Sequence, residues 1–493
     1  DSISSMQLAS RARRSGLVVT PRQVFEEKTP ERLATVAETL EEAAGKAAAT
    51  HDVGVGEAPW TPVMRALGER AAQPDFAQWV ILGAPAGLGL DALTTGLGAL
   101  LDAHDMLRAR TVPGEPKLIV GERGSVDAGN LVAYVDAVHA ADDALDRIAE
   151  QAARKAVQRL DPAAGVMTQA VWVDAGPGRV GRLVFVAHHL VVDGVAWRIL
   201  VPDLRAACEA AIDGRVPHLD PVGTSFRRWA ERLAAEATGE RRVAELDDWL
   251  TLLGDSQTPL GSRALDRDID TAHTLRQRTW VVPPEQAATL VGRTPNAYHC
   301  GIDDVLLAAL AGAVAYWRGD GDTDVLVDVE GHGRESLDDG VDLSRTVGWF
   351  TSAHPVRLGT AGVDLAQVRA GGPAAGALLK AVKEQARAVP GDGLGHALLR
   401  HLNPETAPAL AAAPAPEIGF NYLGRRRRGG GHRRRLAAGR GRGDRRLHRT
   451  GPAGDARGRG PRGSHGHPGR ARTDRDAQLA ATAPGRDRRG APR

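Results

Sequence analysis

The spacing of apolar residues predicts an α/β protein over most of the chain. Residues 76–82, which are apolar except for Gln78, predict a strand, and residues 183–187 form a continuous apolar run typical of a buried strand. Apolar residues at three- and four-residue intervals predict helices over 90–107, 196–212 and 227–253. Strands and helices that follow one another in this way indicate an α/β fold.

The same pattern recurs from about residue 275. The predicted elements are strands at 279–282, 325–329 and 354–358 and helices at 304–317, 376–388 and 394–402. Two stretches of similar content predict a pair of related subdomains, which we place at 59–265 and 266–424.

The sequence of the first 45 residues predicts three short helices. The first spans 2–15, the second begins at Thr20-Pro21 and the third begins at Thr29-Pro30-Glu31. Three short helices bury too little surface for an independent core, so we interpret them as the back part of a small helical domain. The Ala- and Gly-rich segment at 46–58 is interpreted as a linker.

Residues 425–493 differ in composition from the rest of the chain. They contain 22 Arg and five Asp, no Lys or Glu, and no Val, Ile, Phe, Tyr, Trp, Met or Cys, so their net charge is +17 against −15 for residues 1–424. A segment of this composition cannot build a core, which predicts disorder. Three interpretations stay open: an out-of-frame translation of GC-rich coding sequence, which we favour, a passive tail, and an arm that binds nucleic-acid phosphates.

Cysteine content and hydropathy indicate the compartment in which the protein is expected. Cys208 and Cys300 are too few for a disulfide framework or a four-thiolate zinc site, which predicts a reducing compartment such as the cytoplasm. No run of 18 or more apolar residues occurs, so no membrane span is expected. No signal peptide is expected, because the first residues lack a charged region followed by an apolar core. The chain also begins without Met, which we interpret as a fragment of a longer polypeptide.

The segment from His188 to Gly194 carries the strongest candidate chemistry. Its sequence is His188-His189-Leu190-Val191-Val192-Asp193-Gly194, directly after the apolar run at 183–187. A histidine at the end of a strand places a group that exchanges protons near neutral pH at the edge of the sheet. By itself the segment indicates acyl-transfer-type chemistry on a thioester.

Four sequence blocks together are similar to one family. The blocks are His188–Gly194 with its continuation over 195–200, Glu330-Gly331-His332-Gly333-Arg334-Glu335, Thr346-Val347-Gly348-Trp349-Phe350-Thr351, and Phe420-Asn421-Tyr422-Leu423-Gly424. Residues 59–425 resemble the epimerization domain of nonribosomal peptide synthetases, a relative of the condensation domains. The first block is common to both classes, whereas the Glu330 and Asn421 blocks are typical of epimerization, and no Asp-Phe-Gly-Trp segment of a condensation domain is present.

The resemblance implies a fold and a carrier. The fold would be α/β, with two chloramphenicol-acetyltransferase-like subdomains in a V-shaped arrangement, preceded by a partial helical carrier domain at 1–45 and followed by the disordered tail. Asp1-Ser2-Ile3 resembles the end of a carrier signature, so Ser2 would carry phosphopantetheine, the only prosthetic group implied; the alternative is an ordinary N-cap. No metal, nucleotide or redox cofactor is implied.

The resemblance also implies an acid–base pair, His189 and Glu330, one from each half. One would remove the α-proton of an aminoacyl or peptidyl thioester and the other would return a proton from the opposite face, with roles that swap with substrate configuration. A glutamate in this role is expected to be partly desolvated, with its pKa raised. His188 would be structural, because successive residues of a strand face opposite sides.

Further residues would support this pair. Asp193 would order its loop by pairing with Arg108. Asn421 and Tyr422 would donate hydrogen bonds toward an enolate, orient Glu330, or be purely structural, and His332 and Arg334 would anchor the loop of Glu330.

The implied partners are a carrier-bound thioester and the adenylation and condensation domains of the same or another synthetase. Two alternatives remain: a condensation domain that forms amide bonds, and an inactive, truncated fragment. The family continues past Asn-Tyr-Leu-Gly with a strand and a helix, which the Arg-rich tail replaces here. We therefore expect an exposed sheet edge and reduced stability.

Overall fold

The computed structural model describes residues 52–266, 268–271, 274–319, 324–334, 337 and 341–424, together with parts of 5–39. Ser2, Glu335, residues 46–51 of the predicted linker and the tail at 425–493 lie outside the described residues, whereas the last residues of the predicted linker belong to strand β3 (Gly56–Pro59). The third of the predicted N-terminal helices is present as α1 (Pro30–Val36), which Thr29 caps by accepting a hydrogen bond from the backbone of Arg32. Two short strands that the sequence did not predict, β1 (Leu17–Val18) and β2 (Glu38–Thr39), pair antiparallel.

The first half contains seven strands and four helices among the described residues from 52 to 212. In chain order they are β3 (Gly56–Pro59), α2 (Pro62–Leu67), β4 (Ala77–Ala84), α3 (Leu90–Ala103), β5 (Ala109–Val112), β6 (Glu115–Val120), β7 (Val132–Asp136), α4 (Asp142–Val157), β8 (Thr168–Asp174), β9 (Gly181–His188) and α5 (Ala196–Ile212). The main sheet has the order β4-β9-β8-β7, and a smaller sheet has the order β3-β6-β5. In the main sheet β7 and β8 are parallel and the other pairs are antiparallel.

The main sheet is covered by helices on both faces, which explains the continuous apolar run in β9. Val80 and Phe185 face a core shared with α3 and α5, whereas Ile81 and Val184 face a second core under α4. Both faces of β8 and β9 are therefore buried, and alternation disappears from their sequences.

The segment between the halves consists of three helices, so the prediction of one helix over 227–253 was wrong. They are α6 (Phe226–Glu236), α7 (Glu240–Val243) and α8 (Leu246–Leu253). The chain leaves the helical path at Gly239, whose extended backbone (φ −68°, ψ 140°) begins α7. Thr and Gly are both poor helix formers, which accounts for a break at Thr238-Gly239 despite the continuing apolar stripe.

The second half contains seven helices and three strands among the described residues from 284 to 420. They are α9 (Pro284–Ala288), α10 (Thr294–Tyr298), α11 (Ile302–Arg318), β10 (Asp324–Gly331), β11 (Ser352–Gly359), α12 (Leu365–Arg369), α13 (Pro373–Arg387), α14 (Leu394–His401), α15 (Ala407–Ala412) and β12 (Ile418–Phe420). The sheet order is β11-β10-β12, with β10 antiparallel to β11 and parallel to β12. The strand predicted at 279–282 is absent, and Trp280 there is 64% exposed.

Within the described part of the chain, no single helix is long and apolar enough to cross a membrane. One sharply bent pair, Pro284–Tyr298 with Ile302–Arg318, reaches that length and hydropathy only when its members are taken together.

Candidate acid–base site between the two halves

His189 directly follows β9 and is buried, with 4% of its surface exposed. Its backbone N–H donates to the carbonyl of Phe76, 2.8 Å away, at the start of the neighbouring strand β4. The imidazole stacks on the Phe76 ring, with centroids 4.7 Å apart, and contacts the indole of Trp349 at 4.6 Å. Because Trp349 belongs to the second half, the predicted base lies where the halves meet.

Gln78 on β4 contacts the imidazole of His189 and was not predicted as a site residue. Its Nε2 lies 2.7 Å from Nε2 of His189, and its Oε1 accepts a hydrogen bond of 2.7 Å from the indole nitrogen of Trp197. Trp197 is buried and also serves as a donor. The one signal of this role in the sequence was that Gln78 is the only polar residue in the otherwise apolar segment 76–82.

His188 is fully buried, and both of its ring nitrogens have hydrogen-bond partners. Nε2 lies 2.9 Å from the carbonyl of Gln73, and Nδ1 accepts from the backbone N–H of Leu190 at 3.3 Å. Burial, with a smaller contribution from His189, lowers the pKa of His188 to about 4. These contacts support the expected structural role.

Asp193 orders the loop after His189 and bridges the two halves. Its carboxylate accepts hydrogen bonds from the backbone N–H groups of Val195 and Ala196, at 2.9 and 2.7 Å, at the start of α5. Its two oxygens each lie 3.0 Å from Nη2 of Arg334 in the second half, and the backbone N–H of Phe350 donates at 3.2 Å.

Arg108 is not the partner of Asp193, so this expectation is corrected. Arg108 is buried and donates to the carbonyls of Leu101, Asp102 and Gly121 and to the carboxylate of Asp105. All of these acceptors lie within 13 residues of Arg108. The guanidinium therefore stabilises the chain around Arg108 and not the loop that follows His189.

Glu330 lies near the end of β10, opposite Ala353 of β11. The side-chain amide of Asn421 donates a hydrogen bond to its Oε2. Asn421 directly follows β12, whose parallel pairing with β10 sets Phe420 beside Val329 and so brings the two side chains together. Of the open roles for Asn421, this contact supports orientation of Glu330, whereas Tyr422 is packed against the second-half core.

The loop after Glu330 is held by His332 and Arg334. Nδ1 of His332 accepts from the backbone N–H of Arg334 at 3.1 Å. The Arg334 guanidinium donates to the carbonyls of Leu343 and Thr346 and lies 3.8 Å over the ring of Phe350. These contacts agree with the expected anchoring role of His332 and Arg334.

The fold and the site define a two-lobed α/β domain with a histidine motif in one lobe and a carboxylate motif in the other. The chain belongs to the Condensation domain family, whose model matches residues 71–430. This places it in the condensation-domain superfamily of nonribosomal peptide synthetases.

Two curated relatives illustrate the match. The chain is 36% identical over 435 residues to one of the proteins of the linear gramicidin synthase of Brevibacillus parabrevis, covering 86% of this chain and 5% of the relative. It is 32% identical over 429 residues to surfactin synthase subunit 1 of Bacillus subtilis (strain 168), covering 86% of this chain and 11% of the relative. The chain therefore spans a small part of the length of the relatives it matches.

Two solved structures are similar as well. The epimerization domain from the third module of tyrocidine synthetase B matches with a TM-score of 0.62 and 28% identity, covering 76% of this chain and 81% of that one. The first condensation domain of the calcium-dependent antibiotic synthetase matches with a TM-score of 0.55 and 18% identity, covering 75% and 81%, a likeness of fold alone.

Proposed function

We propose that this chain epimerizes the α-carbon of an aminoacyl or peptidyl thioester held on a phosphopantetheinyl carrier, within peptide antibiotic synthesis. The observation that carries the proposal is the Asn421–Glu330 hydrogen bond, which holds a carboxylate at the end of β10. The likeness to the tyrocidine synthetase epimerization domain supports it.

The two proposed acid–base groups belong to loops that are tied to each other. His189 lies four residues before Asp193, and Glu330 lies four residues before Arg334. The Asp193–Arg334 ion pair therefore joins the loop of the histidine to the loop of the carboxylate. A substrate that enters between the halves would meet one proton-transfer group from each.

The reaction needs one group to remove the α-proton and another to return a proton on the opposite face. The thioester carbonyl accepts the developing charge as an enolate, and hydrogen-bond donors near that oxygen stabilise it. In the proposal His189 and Glu330 move the protons, Asn421 orients Glu330, and Asp193 with Arg334 fixes the loops. Ser2 remains the proposed attachment point of the carrier arm, and adenylation and condensation domains remain the proposed partners.

The alternative is condensation, in which an amide bond forms between two carrier-bound acyl groups. The match to the Condensation domain family does not distinguish this class from epimerization. The Glu330–Asn421 pair is what favours epimerization, because amide formation has no evident use for a second proton-transfer group there.

The test is α-proton exchange in deuterated water. A separate, intact carrier domain is loaded with a panel of L-aminoacyl-phosphopantetheines, the full chain is added, and the released amino acids are analysed by mass spectrometry and chiral chromatography. Deuterium at the α-carbon together with D-product supports epimerization. Amide product with an added acceptor carrier, and no deuterium, would establish condensation instead.

Matched variants separate chemistry from folding. Glu330→Gln and His189→Ala are expected to abolish exchange. Glu384→Gln and His139→Ala make the same changes at exposed positions on α13 and before α4 and should retain it. A chain that folds, as judged by circular dichroism, but gives neither deuterium uptake nor amide product would leave the inactive fragment as the remaining interpretation.

A further inference from the structure

Three side chains of the first half form a hydrogen-bonded chain that ends on the imidazole of His189. The Trp197 indole lies 2.7 Å from Oε1 of Gln78, and Nε2 of Gln78 lies 2.7 Å from Nε2 of His189. Trp197 is on α5, Gln78 on β4 and His189 directly after β9, so three different parts of the fold hold the chain in place.

The chemistry of these groups fixes the direction of each hydrogen bond. An indole N–H only donates, so the Gln78 atom that faces Trp197 must be the carbonyl oxygen. The atom of Gln78 that faces His189 is then the amide NH₂, which only donates. Nε2 of His189 must therefore accept, which requires that this nitrogen carry no proton.

We infer that Gln78 is a positioning residue that holds His189 neutral, with its proton on Nδ1 and the lone pair on Nε2. Protonation of Nε2 would set two donors against each other at 2.7 Å, and rotation of the amide would forfeit the bond to Trp197. The imidazole is therefore neutral in the free domain, and its Nε2 lone pair can accept a proton only when the Gln78 amide is displaced.

The aromatic rings packed on the imidazole add no charge that would favour its protonation. Phe76 and Trp349 flank the imidazole and carry no charge. His188, the titratable neighbour that interacts with His189, is itself buried and neutral near pH 7, with a pKa lowered to about 4. Asp193, four residues after His189, forms an ion pair with Arg334, so the charges of these two groups compensate each other.

The consequence for catalysis rests on the proposed function. If His189 and Glu330 exchange protons with the α-carbon, Gln78 sets which of them begins as the base in the free domain. His189 would begin as the base, and the proton it gains would have to be accommodated by displacement of the Gln78 amide when substrate is bound.

The primary test needs no substrate, so it remains informative if the proposed reaction is wrong. Multiple-bond ¹⁵N–¹H spectra of the full chain labelled in histidine distinguish protonated from unprotonated ring nitrogens. The signals of His189 are assigned by their loss in His189→Gln. We expect an unprotonated Nε2 and a protonated Nδ1 near pH 7, and a protonated Nε2 in the native chain would overturn the inference.

Two substitutions at Gln78 sharpen the test. In Gln78→Glu, a carboxylate can accept from both Trp197 and a protonated Nε2, so the titration midpoint of His189 is expected to rise by about one unit or more. In Gln78→Leu, the donor is lost and the proton is expected to redistribute between the two nitrogens. Gln151→Glu adds the same charge on the exposed face of α4 and should leave the midpoint unchanged.

Trp197→Phe provides a second route if a Gln78 variant does not fold. This change removes the donor that orients Gln78 while leaving Gln78 itself, so the amide can rotate and the preference for one tautomer should weaken. A native tautomer in folded Trp197→Phe, together with an unchanged midpoint in folded Gln78→Glu, would refute the positioning role.

The kinetics of α-proton exchange test the consequence for catalysis. For the Gln78→Glu chain, the pH dependence of α-proton exchange should move to higher pH in step with the NMR midpoint. A shifted midpoint with no exchange in any chain would retain the positioning role and reject the proposed epimerization.

Discussion

Asp193 and Arg334 form a buried ion pair in which the guanidinium is 1% exposed and the carboxylate 5%. They come from sequence positions 141 residues apart and join the loop after β9 to the loop after β10. The remaining oxygen lone pairs accept backbone N–H groups from the start of α5 and from Phe350, so the buried charge is well satisfied. Loss of one partner would leave the other charged and buried.

Arg334→Met is therefore expected to destabilise the domain by about 3–5 kcal/mol, because it leaves the Asp193 carboxylate buried without its cationic partner. Urea unfolding followed by circular dichroism measures this. Arg205→Met is the control, since Arg205 pairs with Glu209 on the exposed face of α5 and such pairs contribute about 0–1 kcal/mol. Adding Asp193→Asn to Arg334→Met should recover part of the loss, and equal effects of the two arginine changes would contradict this account.

Gly333→Ala is expected to disrupt the loop of Glu330. Gly333 has φ +63°, and an added Cβ would lie 1.7 Å from the carbonyl oxygen of Phe350. No side chain fits there without movement of the backbone that also carries Arg334, so we expect a loss of about 2 kcal/mol or more in unfolding free energy.

Gly98→Ala is the matched control for that change. Its added Cβ would meet only the Cβ of Ala128, at 3.8 Å, in the middle of α3. Replacement of a helical glycine by alanine should stabilise by about 0.5–1 kcal/mol. If both alanine variants had the same stability as the native chain, the steric argument for Gly333 would fail.

Periodicity predicted most elements well where local spacing and tertiary packing agree. The predicted helix at 196–212 coincides with α5, and the strand at 325–329 lies inside β10. The predicted strand at 279–282 failed because a short apolar segment alone does not supply a partner strand, and Trp280 is exposed. The domain boundaries and the roles of the site residues remain predictions.

The contacts of the site were harder to predict than the elements. Asp193 was expected to pair with Arg108, but pairing depends on which loops of the two halves converge, and that follows from tertiary structure. Gln78 was missed because its role depends on α5 bringing Trp197 over β4. The Glu330–Asn421 contact was one of several open roles and required the parallel register of β10 and β12.

Acid should destabilise the second half through His396. This residue of α14 is 9% exposed and packs beside Trp249, and burial, with the charge of Arg400, lowers its pKa to about 3. The unfolded value is about 6.5, so between pH 6.5 and 3 the unfolded chain binds a proton that the folded chain does not. Stability therefore falls as the pH drops through this window.

From pH 7 to pH 5 this single group should cost about 2 kcal/mol. We expect His396→Leu to lose less stability than the native chain over that interval, as measured by urea unfolding at each pH. His218→Leu changes an exposed histidine and should behave as the native chain does. If the native and His396→Leu chains lost the same unfolding free energy between pH 7 and pH 5, His396 would not be the buried neutral group inferred.

Asn421 offers the most direct test of how Glu330 is controlled. Asn421→Ala removes a hydrogen bond to a carboxylate, which is typically worth about 1.5–3 kcal/mol, so α-proton exchange should slow by about 10- to 100-fold. Asn421→Asp instead sets a second carboxylate against Glu330. Two carboxylates in contact share a proton, and the pair should hold it to a higher pH.

The exchange rate as a function of pH distinguishes these effects. The Asn421→Asp profile should move to higher pH, whereas the Asn421→Ala profile should fall in height with a smaller shift. Asn130→Asp is the control, because Asn130 donates to Asp127 on the surface and lies away from β10. If Asn421→Asp kept the native pH profile, Asn421 would not govern the protonation of Glu330, and its contact with the carboxylate would serve packing alone.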